Sequence, residues 1–559
     1  MSRIPLGLSD FKELRENDYY YVDKSLFIAE ILNRSDKVLL LPRPRRFGKS
    51  LNLSMLRYFF EKRDDSLASL FKGLAIEADP EAMQHQGQYP VIFLSFKDCK
   101  ASSMEECLSQ IRGLLIELYL AYQPFLYQDA TQKEQENYDK IIEEEQQLRN
   151  WETALKFLMR LIHQQTGQRV IVLLDEYDTP IHAGQEHGYY DEIVLFMRNL
   201  LSGALKDNSD LEKGVVTGIL RIAKESIFSG LNNLGVFSLL ELEFQDFFGF
   251  TEAEIKQLSK DFSLNSTEAS NLSLWYNGYL FGNVVIYNPW SVLTFISRRQ
   301  RVPRPYWINT SSNALLREII TRSDPSFQTQ IERLLADASI QSPLNENIVL
   351  RDLKNNETNI WSLLVFSGYL KSVSLEYRED EIIYELTIPN LEVRSFYRHT
   401  IQDWLQETIG SQRLRDLLHA LIQADWETFG ELLQEMVLAL LSYHDTAGQE
   451  PERVYHAFVL GLLTNLNDRY LIRSNLESGY GRYDVLMIPR NPDVPCFVFE
   501  FKKFNPKKDK NAEDAMQNAL QQISERQYAT ELREHQVKAI WGIGVVIKGK
   551  QVWVSSSLL

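Results

Sequence analysis

The sequence predicts an α/β protein of several domains: an N-terminal parallel sheet with helices on both faces, a helical lid and linker region, and a smaller C-terminal α/β domain. Three observations carry this. Over roughly the first 235 residues, short apolar runs alternate with longer helical patterns, which suits strands buried on both faces of a parallel sheet. From about 240 to 440 the pattern is mainly helical, and strand-like runs return after about 450. At 559 residues the chain is also too long for one core, so roughly two to four domains are expected. The boundaries we expect are 1–238, 239–330 (a helical lid or winged-helix-like domain), 331–445 (a mainly helical linker) and 446–559.

The elements follow in order. "KVLLLP" is a short apolar strand, followed by "RPRRFGKS" and the helical pattern "LNLSMLRYFFEKR". "YPVIFLSF" (Tyr89–Phe96), "RVIVLLDEYDTP" (Arg169–Pro180) and "KGVVTGIL" (Lys213–Leu220) read as further buried strands. The aromatic run "LWYNGYLFGNVVIYNPWSVL" (Leu274–Leu293) reads as the core of the lid, with a binding surface as the alternative. A hairpin is expected at "YLKSVSLEYREDEIIYELTIP" (Tyr369–Pro389). Near the C-terminus, "YDVLMIP", "CFVFEFKKF" and "AIWGIGVVIKGKQVWVS" read as strands, with a helix before the last pair.

Composition narrows the function classes. With 44% hydrophobic and 24% charged residues, the chain is of ordinary globular type. It has no apolar run of about 18 residues and no basic-then-apolar leader, so no membrane association is expected. Cys99, Cys107 and Cys496 are the only cysteines. Their sparse spacing suits a reducing, cytoplasmic setting and argues against structural zinc. The net charge of −16 excludes a whole-surface nucleic-acid binder but not a local basic groove. The run "KKFNPKKDK" (Lys502–Lys510) is the late basic stretch; by itself it reads as a solvated loop.

The first chemical signal is Gly48-Lys49-Ser50 between an apolar strand and an amphipathic helix. A phosphate loop aims backbone N–H groups and a helix N-terminus at phosphates. Gly48 allows the close approach, Lys49 supplies the point charge and the Ser50 hydroxyl holds Mg²⁺. Arg45 and Arg46 add positive charge, and Phe47 and Leu51 complete the expected contacts with ATP. The usual first glycine is replaced by Arg43, which removes a tight turn but none of the groups that touch phosphate. In "VIVLLDEYD" a buried strand ends in paired carboxylates: Asp175 to hold the Mg²⁺ shell, Glu176 to polarise water. Thr217, at the end of the next strand, is a candidate γ-phosphate sensor. Arg221 is a candidate for the same phosphate from its own or a neighbouring subunit, which would imply a homo-oligomer. For both, a polar turn is the competing reading.

The second signal is "CFVFEFKK". Strand alternation puts Phe497, Phe499 and Phe501 on one face and Val498, Glu500 and Lys502 on the other. With Asp484 near the preceding strand, Glu500 completes a hard oxygen site for Mg²⁺ or Mn²⁺. Lys502 would orient the nucleophile or stabilise developing charge. An isolated Glu-x-Lys is usually a surface pair on an edge strand. The upstream Asp484, an apolar helix carrying Glu452, and a following amphipathic helix with Gln522 and Tyr528 weigh against that here. The lysine run then lies where a phosphate backbone would approach.

On these residues the chain resembles bacterial and archaeal AAA-ATPase-like proteins fused to a PD-(D/E)XK nuclease-superfamily domain. The N-terminal resemblance rests on "YYYVDKS", "RPRRFGKS", "LLDEYDTPI", "TGILRIAKESIFSGLNNL", "WYNGYLFG" and "YNPWSVL". The C-terminal one rests on "ERVYHAFVLGLL", "ESGYGRYDVLMIP" and "FVFEFKKF". It implies a phosphate-loop ATPase fold joined to a restriction-endonuclease-like α/β fold. It implies Gly48, Lys49 and Ser50 for nucleotide, and Asp175 and Glu176 for Mg²⁺ and water. Asp484, Glu500 and Lys502 would be the nuclease residues, with Glu452 an additional metal ligand. Tyr483 stands where the family name has proline, a common departure. The expected activity is ATP-regulated, Mg²⁺-dependent cleavage of nucleic acid, with DNA favoured and a role in mobile-element or phage defence suggested by association. The competing expectations are a non-catalytic, ATP-controlled nucleic-acid-binding switch and an ATPase acting on a protein partner. Fold kinship alone does not assign the substrate.

Overall fold

The computed structural model describes residues 3–63, 67–144, 148–221, 233–307, 325–335, 338–348, 350–379, 381–443, 466, 469–474, 477–478, 481–482, 485–504, 509–525, 537, 539–548 and 551–559. These form two compact units. The first comprises 1–311 and 341–393, the second 312–340 and 394–559.

The first unit is built on five strands: β1 (Val38–Pro42), β2 (Val91–Ser95), β3 (Val170–Asp175), β4 (Leu211–Gly218) and β5 (Leu234–Val236). They lie in the order β2-β3-β4-β1-β5, and every pairing is parallel. All residues of β1 and β3 are buried, as expected when helices cover both faces of a parallel sheet. The order has a chemical consequence. Strand β4 separates β1 from β3, with Leu41 opposite Thr217 and Leu174 opposite Val216. On the other side of β3, Ser95 of β2 is opposite Asp175. The strand ends that carry polar residues therefore converge beside the start of helix α1 (Lys49–Phe60).

In the same unit a small antiparallel sheet forms from β6 (Phe250–Thr251), β7 (Tyr279–Phe281) and β8 (Val284–Tyr287), with β8 central. Helices Glu252–Asp261 and Ser266–Tyr276 each begin with a capping box, which satisfies their first N–H groups locally. Helix α3 (Pro289–Ser297) has proline at its start and the buried Asn288 as its N-cap. The aromatic run feeds a core in which Tyr276, Tyr287, Val292 and Phe295 meet Phe250, Ile255 and Leu258. A hairpin of Lys371–Arg378 and Glu381–Thr387 follows further on.

The second unit holds five strands: β9 (Tyr470–Ser474), β10 (Val485–Pro489), β11 (Cys496–Lys503), β12 (Ile540–Lys548) and β13 (Gln551–Leu558), paired in that order. The β11–β12 pairing is parallel; the others are antiparallel. Helix α4 (Ala512–Glu525) lies in the crossover between the parallel strands. Alternation along β11 supplies two cores. Phe497, Phe499 and Phe501 pack with Leu417, Phe429, Leu433 and Tyr470 on one face. Cys496 and Val498 pack with Leu486, Ile488 and Ile523 on the other. Glycine permits the close approach of α4: a Cβ on Gly544 would sit 3.0 Å from the Ala519 methyl.

Candidate functional site

The candidate phosphate loop, Arg43 to Ser50, forms because the chain must turn from a buried strand directly into a helix. Gly48 adopts φ 87 at the N-cap of α1, a left-handed conformation that disfavours any side chain. The lysine ammonium is buried and donates to the Arg43 and Pro44 carbonyls, both at 3.0 Å. Burial lowers its pKa, and the carboxylates of Glu176, Asp175 and Asp178 oppose that shift.

Asp175 gathers three hydroxyls. Ser50 donates to Oδ2 at 2.6 Å, Thr217 donates to Oδ1 at 2.8 Å, and Ser95 lies 3.4 Å from Oδ2. A hydroxyl and a carboxylate held together are hard oxygen donors, and their chemistry fits Mg²⁺. Glu176 follows with φ 50, left-handed and costly for a glutamate by roughly 1–3 kcal/mol. Its Oε2 accepts from the Thr179 hydroxyl at 3.2 Å, in the first turn of helix α2 (Thr179–His187).

The next two residues hold the end of β4. The Tyr177 hydroxyl donates to the Leu220 carbonyl at 2.8 Å. Asp178 Oδ2 accepts the N–H groups of Ile219 at 2.7 Å and Leu220 at 3.0 Å, and His182 approaches it at 3.4 Å. Burial pushes the Asp178 carboxyl up, but His182 and the two N–H donors outweigh it, and the net pKa is lowered. Arg221 follows this clamp and is half-buried. Among the described residues, no hydrogen bond or ion pair joins it to the phosphate loop.

Arg43 occupies the position of the usual first glycine and is wholly buried. Its guanidinium donates to the carbonyls of Pro42 (2.8 Å), Phe237 (2.7 Å) and Phe244 (3.2 Å), and lies over the rings of Phe248 and Phe281. Burial pushes its pKa down to about 9. The cation thus ties the loop to segment 237–249, which the basic look of "RPRR" did not reveal. Phe47 is buried against Tyr279 and Phe281, with centroids 4.9 and 5.2 Å away. Arg46 has φ 68 and carries its guanidinium 4.3 Å from the centroid of Trp290. The Arg45 carbonyl accepts from the Trp307 indole at 3.1 Å. Leu51 lies half-buried in the first turn of α1, and beside it Asn52 donates to the Phe247 carbonyl at 2.9 Å.

In the second unit, Glu500 sits near the end of β11 and is only 3% exposed. Lys502 Nζ lies 3.4 Å from Glu500 Oε1 and donates to the Gln522 amide oxygen of α4. The lysine is thereby shared between a strand carboxylate and a helix amide. A buried carboxylate at a strand end is a hard oxygen donor, which fits Mg²⁺ or Mn²⁺. Strand β10 begins at Val485, opposite Phe499. Asp484, Glu452 and Tyr528 lie outside the described residues, as does much of the lysine run. Among the described residues, no group of three or more His, Cys, Asp and Glu is arranged to hold a metal ion. None of the described helices is long and apolar enough to cross a membrane.

A strand–loop–helix turn carrying Gly48-Lys49-Ser50 on a parallel sheet, followed in the chain by a mixed sheet with Glu-x-Lys on its central strand, places two different α/β folds in one chain. Residues 5–228 match a family described as "Predicted AAA-ATPase", and residues 450–557 match the PD-(D/E)XK nuclease superfamily. The chain therefore carries an AAA-ATPase-like domain at its N-terminal end and a PD-(D/E)XK domain at its C-terminal end. It is also similar to an "Uncharacterized protein in vnfD 5'region" of Azotobacter chroococcum mcd 1. The identity is 26% over 544 residues, covering 95% of this chain and 94% of that protein.

Proposed function

We propose that this protein is an ATP-regulated, metal-dependent nuclease acting on DNA. The observation that supports it best is the Glu500–Lys502 pair at 3.4 Å, with the carboxylate buried and the ammonium also held by Gln522. A surface ion pair would not need that burial.

At the N-terminal site, the backbone of Arg45, Arg46, Phe47, Gly48 and Leu51 and the side chain of Lys49 hold the phosphates of ATP. Ser50 and Asp175 hold Mg²⁺. Thr217 keeps Asp175 oriented and faces the terminal phosphate; Arg221 acts on the same phosphate. Glu176 takes a proton from the water that attacks the γ-phosphorus, and ADP leaves as the bridging P–O bond breaks. At the C-terminal site, Asp484 and Glu500, with Glu452 in addition, hold Mg²⁺ or Mn²⁺. When bound there, a metal would supply positive charge at the scissile phosphate and lower the pKa of water. Lys502 would orient a water for attack on phosphorus. As the new P–O bond forms, the P–O bond to the leaving sugar oxygen of the same strand breaks. That oxygen takes a proton from solvent, and the attacking water gives one up to solvent. Binding of ATP changes the output of the second site.

The test is cleavage of supercoiled and linear DNA by the full chain with Mg²⁺ or Mn²⁺, using wild type and Glu500→Ala. Metal-dependent cutting that disappears in the variant is expected. Binding without cutting, on DNA and then on RNA, would replace this reading with the non-catalytic switch.

A further inference from the structure

Arg46 lies in the loop of the proposed nucleotide site, two residues before Gly48. Its backbone is left-handed at φ 68, which an arginine adopts only when its surroundings impose it. The residue is exposed, yet its guanidinium rests against a ring on one side. It lies 4.3 Å from the centroid of Trp290 and within electrostatic range of Glu176. Trp290 is itself fixed in place. It stands in the first turn of α3, between Pro289 and Ser291. The Asn288 side chain caps this turn by accepting the Ser291 N–H at 3.1 Å. The Ser291 hydroxyl donates to the wholly buried Glu392, 2.8 Å from Oε2 and 3.0 Å from Oε1. Glu392 also accepts the backbone N–H of Trp307 at 2.7 Å, and the Trp307 indole grips the Arg45 carbonyl. One buried carboxylate thus anchors a tryptophan beside each loop arginine.

We propose that Trp290 is a positioning residue of the nucleotide site, whose indole presents the Arg46 guanidinium to the terminal phosphates of a nucleoside triphosphate. This deepens the proposed ATP site and rests on it. A free arginine side chain loses rotamer freedom when it is fixed on a ligand. Stacking on an indole at a partly exposed site offsets about 0.5–1 kcal/mol of such a cost before the ligand arrives. The indole covers one face of the guanidinium and leaves its in-plane N–H groups to donate to phosphate, so the stack is kept when the ligand binds.

The test uses the full chain and a fluorescent N-methylanthraniloyl ATP with Mg²⁺. Wild type, Lys49→Ala, Arg46→Ala, Trp290→Ala, Trp290→Phe and the Arg46→Ala/Trp290→Ala double variant are titrated, and the steady-state ATPase rate is measured for each. Trp290→Ala should weaken binding about 2–5-fold, which is the stacking energy at the standard conversion. The KM for ATP should rise in step. Trp290→Phe should recover most of the affinity, and the double variant should bind no worse than Arg46→Ala alone. A purely structural tryptophan would instead add its loss in full to that of Arg46→Ala, and that additive result overturns the proposal. So does wild-type affinity in Trp290→Ala while Lys49→Ala is impaired. Absence of binding by wild type itself would overturn the ATP reading and this inference together.

Discussion

A Cβ atom on Gly218 would lie 2.7 Å from Asp178 Oδ1 and 2.8 Å from a ring carbon of Tyr177. The last residue of β4 is therefore pressed against the two residues that follow Glu176, and the same Asp178 holds the N–H groups of Ile219 and Leu220. Thr217, immediately before, donates to Asp175. Gly218→Ala should therefore displace Thr217 and Arg221 together. A loss of stability of roughly 1–3 kcal/mol is expected from the overpacking, with a larger proportional loss of ATP turnover than of ATP binding. Thermal unfolding and steady-state ATPase rates check both parts.

Arg43 gives a prediction opposite to the one a motif comparison would make. Restoring the usual glycine by Arg43→Gly removes the donors to the Pro42, Phe237 and Phe244 carbonyls and leaves a cavity among Phe248 and Phe281. Each buried acceptor left unsatisfied costs about 1–3 kcal/mol. The variant should lose at least about 3 kcal/mol and gain no nucleotide affinity. A variant as stable as wild type that binds ATP more tightly would refute this account of the loop.

Glu392 should make stability depend on pH. Burial pushes its carboxyl up to about 7, opposed by donors from Trp307, Ser291 and Tyr306. Tyr276 and Tyr279, which also face it, stay uncharged over this range, their own pKa values being raised by burial. In the unfolded chain a glutamate titrates near about 4.3. Between these values the folded state keeps a proton that the unfolded state releases, so stability falls as pH rises from about 4.5 to 7. The contribution is roughly 3 kcal/mol. Urea midpoints at pH 5 and pH 8 should therefore differ less in Glu392→Gln than in wild type. Equal pH dependence in the two proteins would remove Glu392 as the cause.

Gln522 should matter to the second site although it touches neither metal nor substrate in the proposed mechanism. It holds Lys502 from the helix side while Glu500 holds it from the strand. Gln522→Leu should reduce metal-dependent cleavage about 10–100-fold, the usual effect of losing a supporting partner, and leave ATP turnover unchanged. Comparing both rates in one preparation separates this from misfolding.

Local patterns in the sequence revealed the scaffold, whereas contacts between distant residues stayed hidden. Strands β1 to β4 were legible because fully buried parallel strands are continuous apolar runs. The strand–loop–helix turn at Gly48-Lys49-Ser50 was legible because those residues sit between such a run and a helical pattern. Alternation in "CFVFEFKK" correctly separated the phenylalanine face from the Val498 face, since the period of a strand is two. What stayed hidden depends on residues far apart in the chain. Asp178 meets Leu220 across 42 positions and Glu392 meets Ser291 across 101. Arg43 reads in the sequence only as the replacement of the usual first glycine, because no local pattern shows that a cation lies among Phe248 and Phe281. Ser95 carries no motif; only the parallel register of β2 and β3 brings it to Asp175.

The most direct test of the central claim is single-turnover cleavage of DNA with Mg²⁺ in the presence of ATP, a non-hydrolysable analogue or no nucleotide, for wild type, Lys49→Ala and Glu500→Ala. ATP-controlled cleavage predicts that nucleotide changes the wild-type rate, that Lys49→Ala cuts at one rate in all three conditions, and that Glu500→Ala does not cut in any. Equal wild-type rates with and without nucleotide, or cutting by Glu500→Ala, would contradict it.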